Sequence, residues 1–212
     1  MIFVPIGLLI FLILILFSGI LFTFWILGGI PFAFTKLGIS PQTAIFLFTT
    51  TLIGSLINLP LTKKREVYIR RFYWFTLPDV RETIIAINLG GAIIPVIVSI
   101  YILLKCNDPL RCLIPTLILA FISKSLTKVV PGKGFVMPAL IPPLIATLLG
   151  YIFYPENPAA CAYVSGTLGV LIGADLLNLH RVKELHSTFV SIGGAGVFDG
   201  IFLTGIISAL LT

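Results

Sequence analysis

Charge interrupts this chain so rarely that most of it falls into long apolar runs. Charged residues make up 10% of the sequence and hydrophobic ones 58%, whereas about 25% of an ordinary soluble domain is charged. A helix needs ~20 consecutive apolar residues to cross a bilayer. That ruler marks seven segments, at 2–27, 41–61, 82–104, 112–126, 138–154, 159–179 and 189–212. The expected fold is all-α: a polytopic transmembrane helix bundle of about seven spans, with residues 1–212 as a single integral membrane domain, multi-pass in the cell membrane. The lipid bilayer is its first expected partner.

The net charge of +6 raises the question of nucleic acid, but the basic residues are few and sit in short stretches between apolar runs. Topology accounts for them better, so no nucleic-acid partner is expected. Segments 62–81, 123–135 and 180–187 hold eleven of the fourteen Lys and Arg residues; Lys36, Lys105 and Arg111 are the others. By the positive-inside rule this places the N-terminus inside and the C-terminus outside. Tyr68, Tyr73 and Trp74, in the first basic stretch, are expected at headgroup depth. The opening run, 1–27, has no basic leader and exceeds the ~7–15-residue apolar core of a signal peptide, so it is read as a span. Ser40-Pro41 signals a helix start, and Asn88-Leu89-Gly90-Gly91 followed by Pro95 predicts a broken third span. Cys106, Cys112 and Cys161 show no paired metal-ligand spacing and are expected to be small core residues.

Within this apolar background two carboxylates stand out. Asp199 lies in the last segment, just after Gly193, Gly194 and Gly196, and Asp175 lies in the segment before. An ionisable group in such a setting is expensive to bury and marks a functional site by default. The glycine run weakens helix and lets another backbone approach. If it forms an irregular loop with helix starting near Gly196, Asp199 rises towards the level of Asp175. Two facing carboxylates suit general acid–base chemistry, and they equally suit uptake and release of a proton or cation. The alternative for Asp199 is a helix cap, and for Asp175 a side chain reaching the interface. His180, Glu184 and His186 do not have the spacing of a metal helix and are read as a solvated loop. Ser165, Gly166, Gly169 and Gly173 form a small-residue stripe suited to close helix packing. A Gly-Gly-Ala at 90–92 is echoed at 193–195.

Several motifs carry a resemblance. Asn88-Leu-Gly-Gly-Ala with Pro95, Pro138-Ala-Leu-Ile-Pro-Pro, Gly173-Ala-Asp-Leu-Leu and Gly193-Gly-Ala-Gly-x-Phe-Asp-Gly-Ile-Phe-Leu-Thr-Gly look like a prokaryotic family of polytopic membrane proteins of unknown function. More distantly, Asp175, Asp199 and Pro138-Ala139-Leu140 are similar to the two aspartates and the Pro-Ala-Leu of the intramembrane aspartyl proteases, presenilin and signal peptide peptidase. In those enzymes Pro-Ala-Leu follows the aspartates and a Gly-x-Gly directly precedes the second. Here Pro-Ala-Leu comes first, and Val197 and Phe198 intervene before Asp199.

That second resemblance implies a hydrolase that cuts transmembrane peptides. Asp175 and Asp199 would be its catalytic pair, with Gly193, Gly194, Gly196, Pro138, Ala139, Leu140 and Asn88 around the substrate cleft. The alternative is a transporter or channel for small ions, with Asp199 as the ion-linked site and the third and seventh segments in contact. A non-catalytic membrane scaffold is the third reading. No nucleotide-binding glycine loop, haem motif or metal cluster appears, so no cofactor and no metal is expected.

Overall fold

The computed structural model describes residues 6–71 and 76–212. The described residues open with α1 (Ile6–Phe24), which passes through a π-helical turn at Trp25–Gly29 into α2 (Ile30–Lys36). At Ser40 the side chain accepts a hydrogen bond from the Thr43 N–H, and Pro41 opens α3 (Pro41–Gly54), as the Ser-Pro signal predicts. A long hairpin follows, β1 (Asn58–Arg71) and β2 (Thr76–Asn88). A π turn at Leu89–Ile93 leads into α4 (Ile94–Lys105), and α5 (Leu110–Leu126) returns beside it. A small hairpin of β3 (Lys128–Val130) and β4 (Gly134–Val136) precedes α6 (Ile141–Phe153) and α7 (Pro158–Val170). The helix continues past α7 through a π turn, Leu171–Asp175, and a 3₁₀ segment, Leu176–Leu185. Then come β5 (Phe189–Ile192), a 3₁₀ turn at Gly196–Phe198, and α8 (Gly200–Leu211).

The strands overturn the all-α, seven-span expectation. Among the described residues five strands form two sheets, one ordered β1-β2-β5 and the other pairing β3 with β4. Among the described residues one helix, Pro158–Leu185, is long and apolar enough to cross a membrane. The apolar helices Leu89–Lys105, Ile141–Phe153 and Gly200–Leu211 are shorter. The 12 residues of α8 rise only about 18 Å, against a hydrocarbon core of ~30 Å. The physical reason lies in side-chain shape. Thr83-Ile84-Ile85-Ala86-Ile87 and Phe189-Val190-Ser191-Ile192 are apolar but mostly β-branched or aromatic, and such residues pack better on a pleated surface than along a helix. They become the inner halves of β2 and β5, so the third and seventh expected spans each begin as strand. The basic residues at 63–71 and Arg81 lie on the two arms of the hairpin, and the inside–outside assignment built on them falls with the seven spans. Tyr73 and Trp74 lie outside the described residues, as do residues 2–5 of the first expected span.

β1 and β2 run antiparallel from Asn58 opposite Asn88 to Arg71 opposite Thr76, with an irregularity between Pro60 and Thr62. Proline has no N–H to give a ladder, which suits an edge strand with a register shift. On its other side β2 pairs in parallel with β5, from Ile84 opposite Phe189 to Ile87 opposite Ile192. This leaves β5 as the second edge of the sheet.

The centre of the helical part is α7, which packs against α4, α5, α6 and α8. Its small residues make this possible. Gly166 faces Thr204 and Ser208 of α8, and Gly169 faces Leu119 of α5. The Ser208 hydroxyl donates to the Ala162 carbonyl at 3.0 Å, tying α8 to α7. Tyr163, fully buried, meets the Phe34 ring of α2 at 6.3 Å between centroids. Most of the long apolar helix is thus enclosed by its neighbours. Its length and composition suggest association with a membrane.

Candidate functional site

The end of the α7 continuation and the start of α8 each deliver one aspartate to the same place. Asp175 closes the π turn and Asp199 caps α8. The Ile201 N–H donates to Asp199 Oδ1 at 3.0 Å and the Ala195 N–H to Oδ2 at 3.5 Å. The first bond satisfies an orphan donor at the start of α8, a task that asparagine or serine would also perform, and the second ties the cap to the preceding turn. Capping therefore accounts for a short polar side chain at 199, and leaves its charge unexplained. Asp175 has no such duty: among the described residues no hydrogen bond or ion pair reaches its carboxylate, and its strongest electrostatic neighbour is Asp199. Both side chains are half-buried.

Two cavities meet at this pair. The first, about 310 Å³, lies between the outer edge of β5 and the β3–β4 turn, with Ser191, Gly194, Lys133 and Phe135 in its wall. The second, about 280 Å³, is lined by Ala139, Leu140, Val170, Phe198 and Leu203. Phe135, Asp175 and Asp199 border both. A water occupies ~30 Å³ of liquid, so either cavity has room for several waters or for side chains of a bound chain. The arrangement provides two carboxylates, one cation at Lys133 and a polar and an apolar chamber on either side.

The other residues singled out in the sequence divide between this site and its support. Gly194 lines the first cavity, and Ala139 and Leu140 line the second. Pro138, Gly193, Gly196 and Asn88 line neither. Gly193 and Gly196 have φ of +67° and +62°, conformations that favour glycine. The two Gly-Gly-Ala stretches are in contact: Gly91 abuts the backbone of Gly193 and Gly196, and Gly193 abuts Ala92. Asn88 is fully buried below them. Its Oδ1 accepts from the Gly91 N–H at 2.8 Å, and its Nδ2 donates to the Ser55 carbonyl at 2.8 Å and to Asn58 Oδ1 at 3.1 Å. Asn58 Oδ1 also accepts from the Ser191 hydroxyl, so the two amides together join the end of α3, the hairpin and β5. Replacing Asn88 by alanine is expected to leave buried groups without partners and to cost about 1–3 kcal/mol for each. A fall in the thermal unfolding midpoint of the purified protein measures this, and an unchanged midpoint would contradict it.

Phe135, Lys133 and Ser191 were not visible as site residues in the sequence. Lys133 lies in the β3–β4 turn and Phe135 on β4, within what reads as a basic loop, and Ser191 lies in what reads as a span; the β3–β4 hairpin carries the first two to the aspartates, and the pairing of β5 with β2 carries the third.

The profile of a protein family described as "Protein of unknown function (DUF1614)" matches residues 52–211. No curated protein matches the chain, and no solved structure does. The comparisons therefore lend no support to a relationship with presenilin or signal peptide peptidase. The matched region contains both aspartates, the glycine run and the whole three-stranded sheet.

Proposed function

We propose, from the premise that the chain belongs to the DUF1614 family of proteins of unknown function, that it is a membrane-associated aspartyl hydrolase acting on peptide bonds in apolar segments. The observation that carries this reading is that Asp175 and Asp199, from separate elements, border the same two cavities. Peptide hydrolysis by a carboxylate pair needs one group to take a proton from the attacking water while the other gives a proton to the leaving amine. Both must reach the same water and the same peptide bond. The outer edge of β5 lines the first cavity, and a strand edge offers backbone donors and acceptors to an extended chain. On the far side Ala139, Leu140 and Leu203 offer an apolar surface for the side chains of such a substrate.

A second reading rests on a different observation. The glycine segments 90–92 and 193–195 touch, which is the contact a transporter with Asp199 as its proton- or cation-linked site requires. The two readings part in one experiment. Purified protein in detergent is incubated with a transmembrane peptide carrying a fluorophore and a quencher, and the products are identified by mass. Cleavage inside the apolar segment by wild type, lost in Asp199→Asn, is expected. An intact peptide, together with Asp199-dependent flux into proteoliposomes, would replace the hydrolase with the transporter. Neither cleavage nor flux, with an unfolded Asp199→Asn protein, would leave the scaffold reading.

A further inference from the structure

Cys106 and Cys112, six residues apart, and the distant Cys161 converge at the opposite end of α7 from Asp175. Cys106 lies just past the last turn of α4, Cys112 in the first turn of α5 and Cys161 in the first turn of α7. The Cys106 and Cys112 sulfurs are 3.7 Å apart, Cys161 is an electrostatic neighbour of Cys112, and the Cys161 thiol donates to the Arg111 carbonyl at 3.3 Å. Cys112 and Cys161 are fully buried, whereas Cys106 is partly exposed. All three are free thiols.

Three thiols in one cluster, with one reachable from solvent, form a site with chemistry of its own. We propose that Cys106 and Cys112 are a thiol–disulfide exchange pair, oxidised by small disulfides, whose bond staples the end of α4 to the start of α5. Cys106 is the entry point because it is the exposed member, and Cys112 is the resolving thiol because its sulfur is the neighbour. In the first step the Cys106 thiolate attacks one sulfur of a small disulfide, forming a mixed disulfide and releasing one thiolate. In the second, the Cys112 thiolate attacks the Cys106 sulfur and releases the other. Two cysteine thiols lose two electrons and two protons, and the small disulfide becomes two thiols. The sulfurs must close to about 2.05 Å, a movement helped by the position of Cys106 outside regular helix.

The setting also governs the rate. Burial first, and then the neighbouring Cys112, push the Cys106 thiol up to about 11. Tyr154, Asp108 and Arg111 are the other ionisable groups around the mouth, with Arg111 held by Glu156 at 3.0 Å and by Asp108 at 3.5 Å. The thiolate is the attacking species, so exchange is expected to quicken by about tenfold per pH unit from pH 7 to 10 with no plateau. Because poor leaving thiolates depart slowly, the bond once made is expected to resist reduction.

The inference is independent of the hydrolase reading, and its test uses the whole protein in detergent with oxidised glutathione. After oxidation, free thiols are alkylated and the protein is digested with trypsin without reduction. Fragments 106–111 and 112–124 are expected as one linked species, which reduction separates. The link is expected to persist in Cys161→Ser and to vanish in Cys106→Ser. Cys106 is partly exposed, so its replacement by serine leaves the buried packing in place. Both fragments recovered as free alkylated thiols from oxidised wild type, or Cys112 linked instead to Cys161, would overturn the proposal.

Discussion

Asparagine at either 175 or 199 is expected to abolish hydrolysis while leaving the protein folded. At 199 the replacement keeps an acceptor for the Ile201 N–H, so the α8 cap survives. At 175 no hydrogen bond among the described residues is lost, because none is made. What disappears in each case is one of the two proton-handling groups at the junction of the cavities. General acid–base groups contribute roughly 10²–10⁴-fold to rate, and each single variant is expected to lose that much in kcat/KM. The pair acts as a unit, so the double variant is expected to be no slower than the worse single one. Multiplying losses would mean that the two groups act in separate steps. Activity within about threefold of wild type in both single variants would remove the hydrolase reading altogether. In the transporter reading the outcome is asymmetric, with flux lost on Asp199→Asn and kept on Asp175→Asn.

The reason the aspartates were legible in the sequence, and the sheet was not, is the length scale of each signal. Asp199 announces itself at a single position, because a carboxylate in an apolar run is costly wherever the chain goes. The strand at Phe189–Ile192 is four residues long. A window of ~20 residues averages it with the glycine run and α8 into one apolar segment. The same averaging fused Glu82–Asn88 with α4, although Asn88 and the two glycines after it correctly marked a break. There the Asn88 side chain caps the π turn by accepting from Gly91. The orientation rule failed for a related reason: Lys63, Lys64, Arg65, Arg70, Arg71 and Arg81 lie on the two antiparallel strands of a hairpin and do not form a loop between two spans. Spacing rules also missed the cysteines. Cys112 and Cys161 meet only because α5 and α7 pack together, a long-range fact with no local trace.

A methyl group added at Gly91 is expected to be among the most damaging single changes outside the aspartates. Its Cβ would overlap the Gly193 carbonyl oxygen and lie 2.9 Å from the Gly196 oxygen and 3.0 Å from Gly196 Cα. Every one of these is backbone, so no side-chain rotation relieves the contact. Nor can the facing segment withdraw easily. Gly193 already touches Ala92, Gly196 is held against Ser55 of the α3 end, and the pairing of Ile87 with Ile192 fixes the separation just before the crossing. Overpacking in a core typically costs 1–3 kcal/mol, and a clash between two fixed backbones is expected at or above about 3 kcal/mol. Gly19 provides the control, since a Cβ there meets nothing within 4 Å and it lies inside α1. Alanine at 19 is expected to be neutral or to stabilise by about 0.5–1 kcal/mol through helix propensity. The two variants carry the same chemical change, so the difference between their unfolding midpoints isolates the crossing of the glycine segments. Equal midpoints would mean that the segments are not packed as described. If Gly91→Ala retains a fold, the glycine run must shift, and Asp199 stands three residues beyond Gly196. Hydrolysis should then fall as in Asp199→Asn, which ties the crossing of the two segments to the geometry of the carboxylate pair.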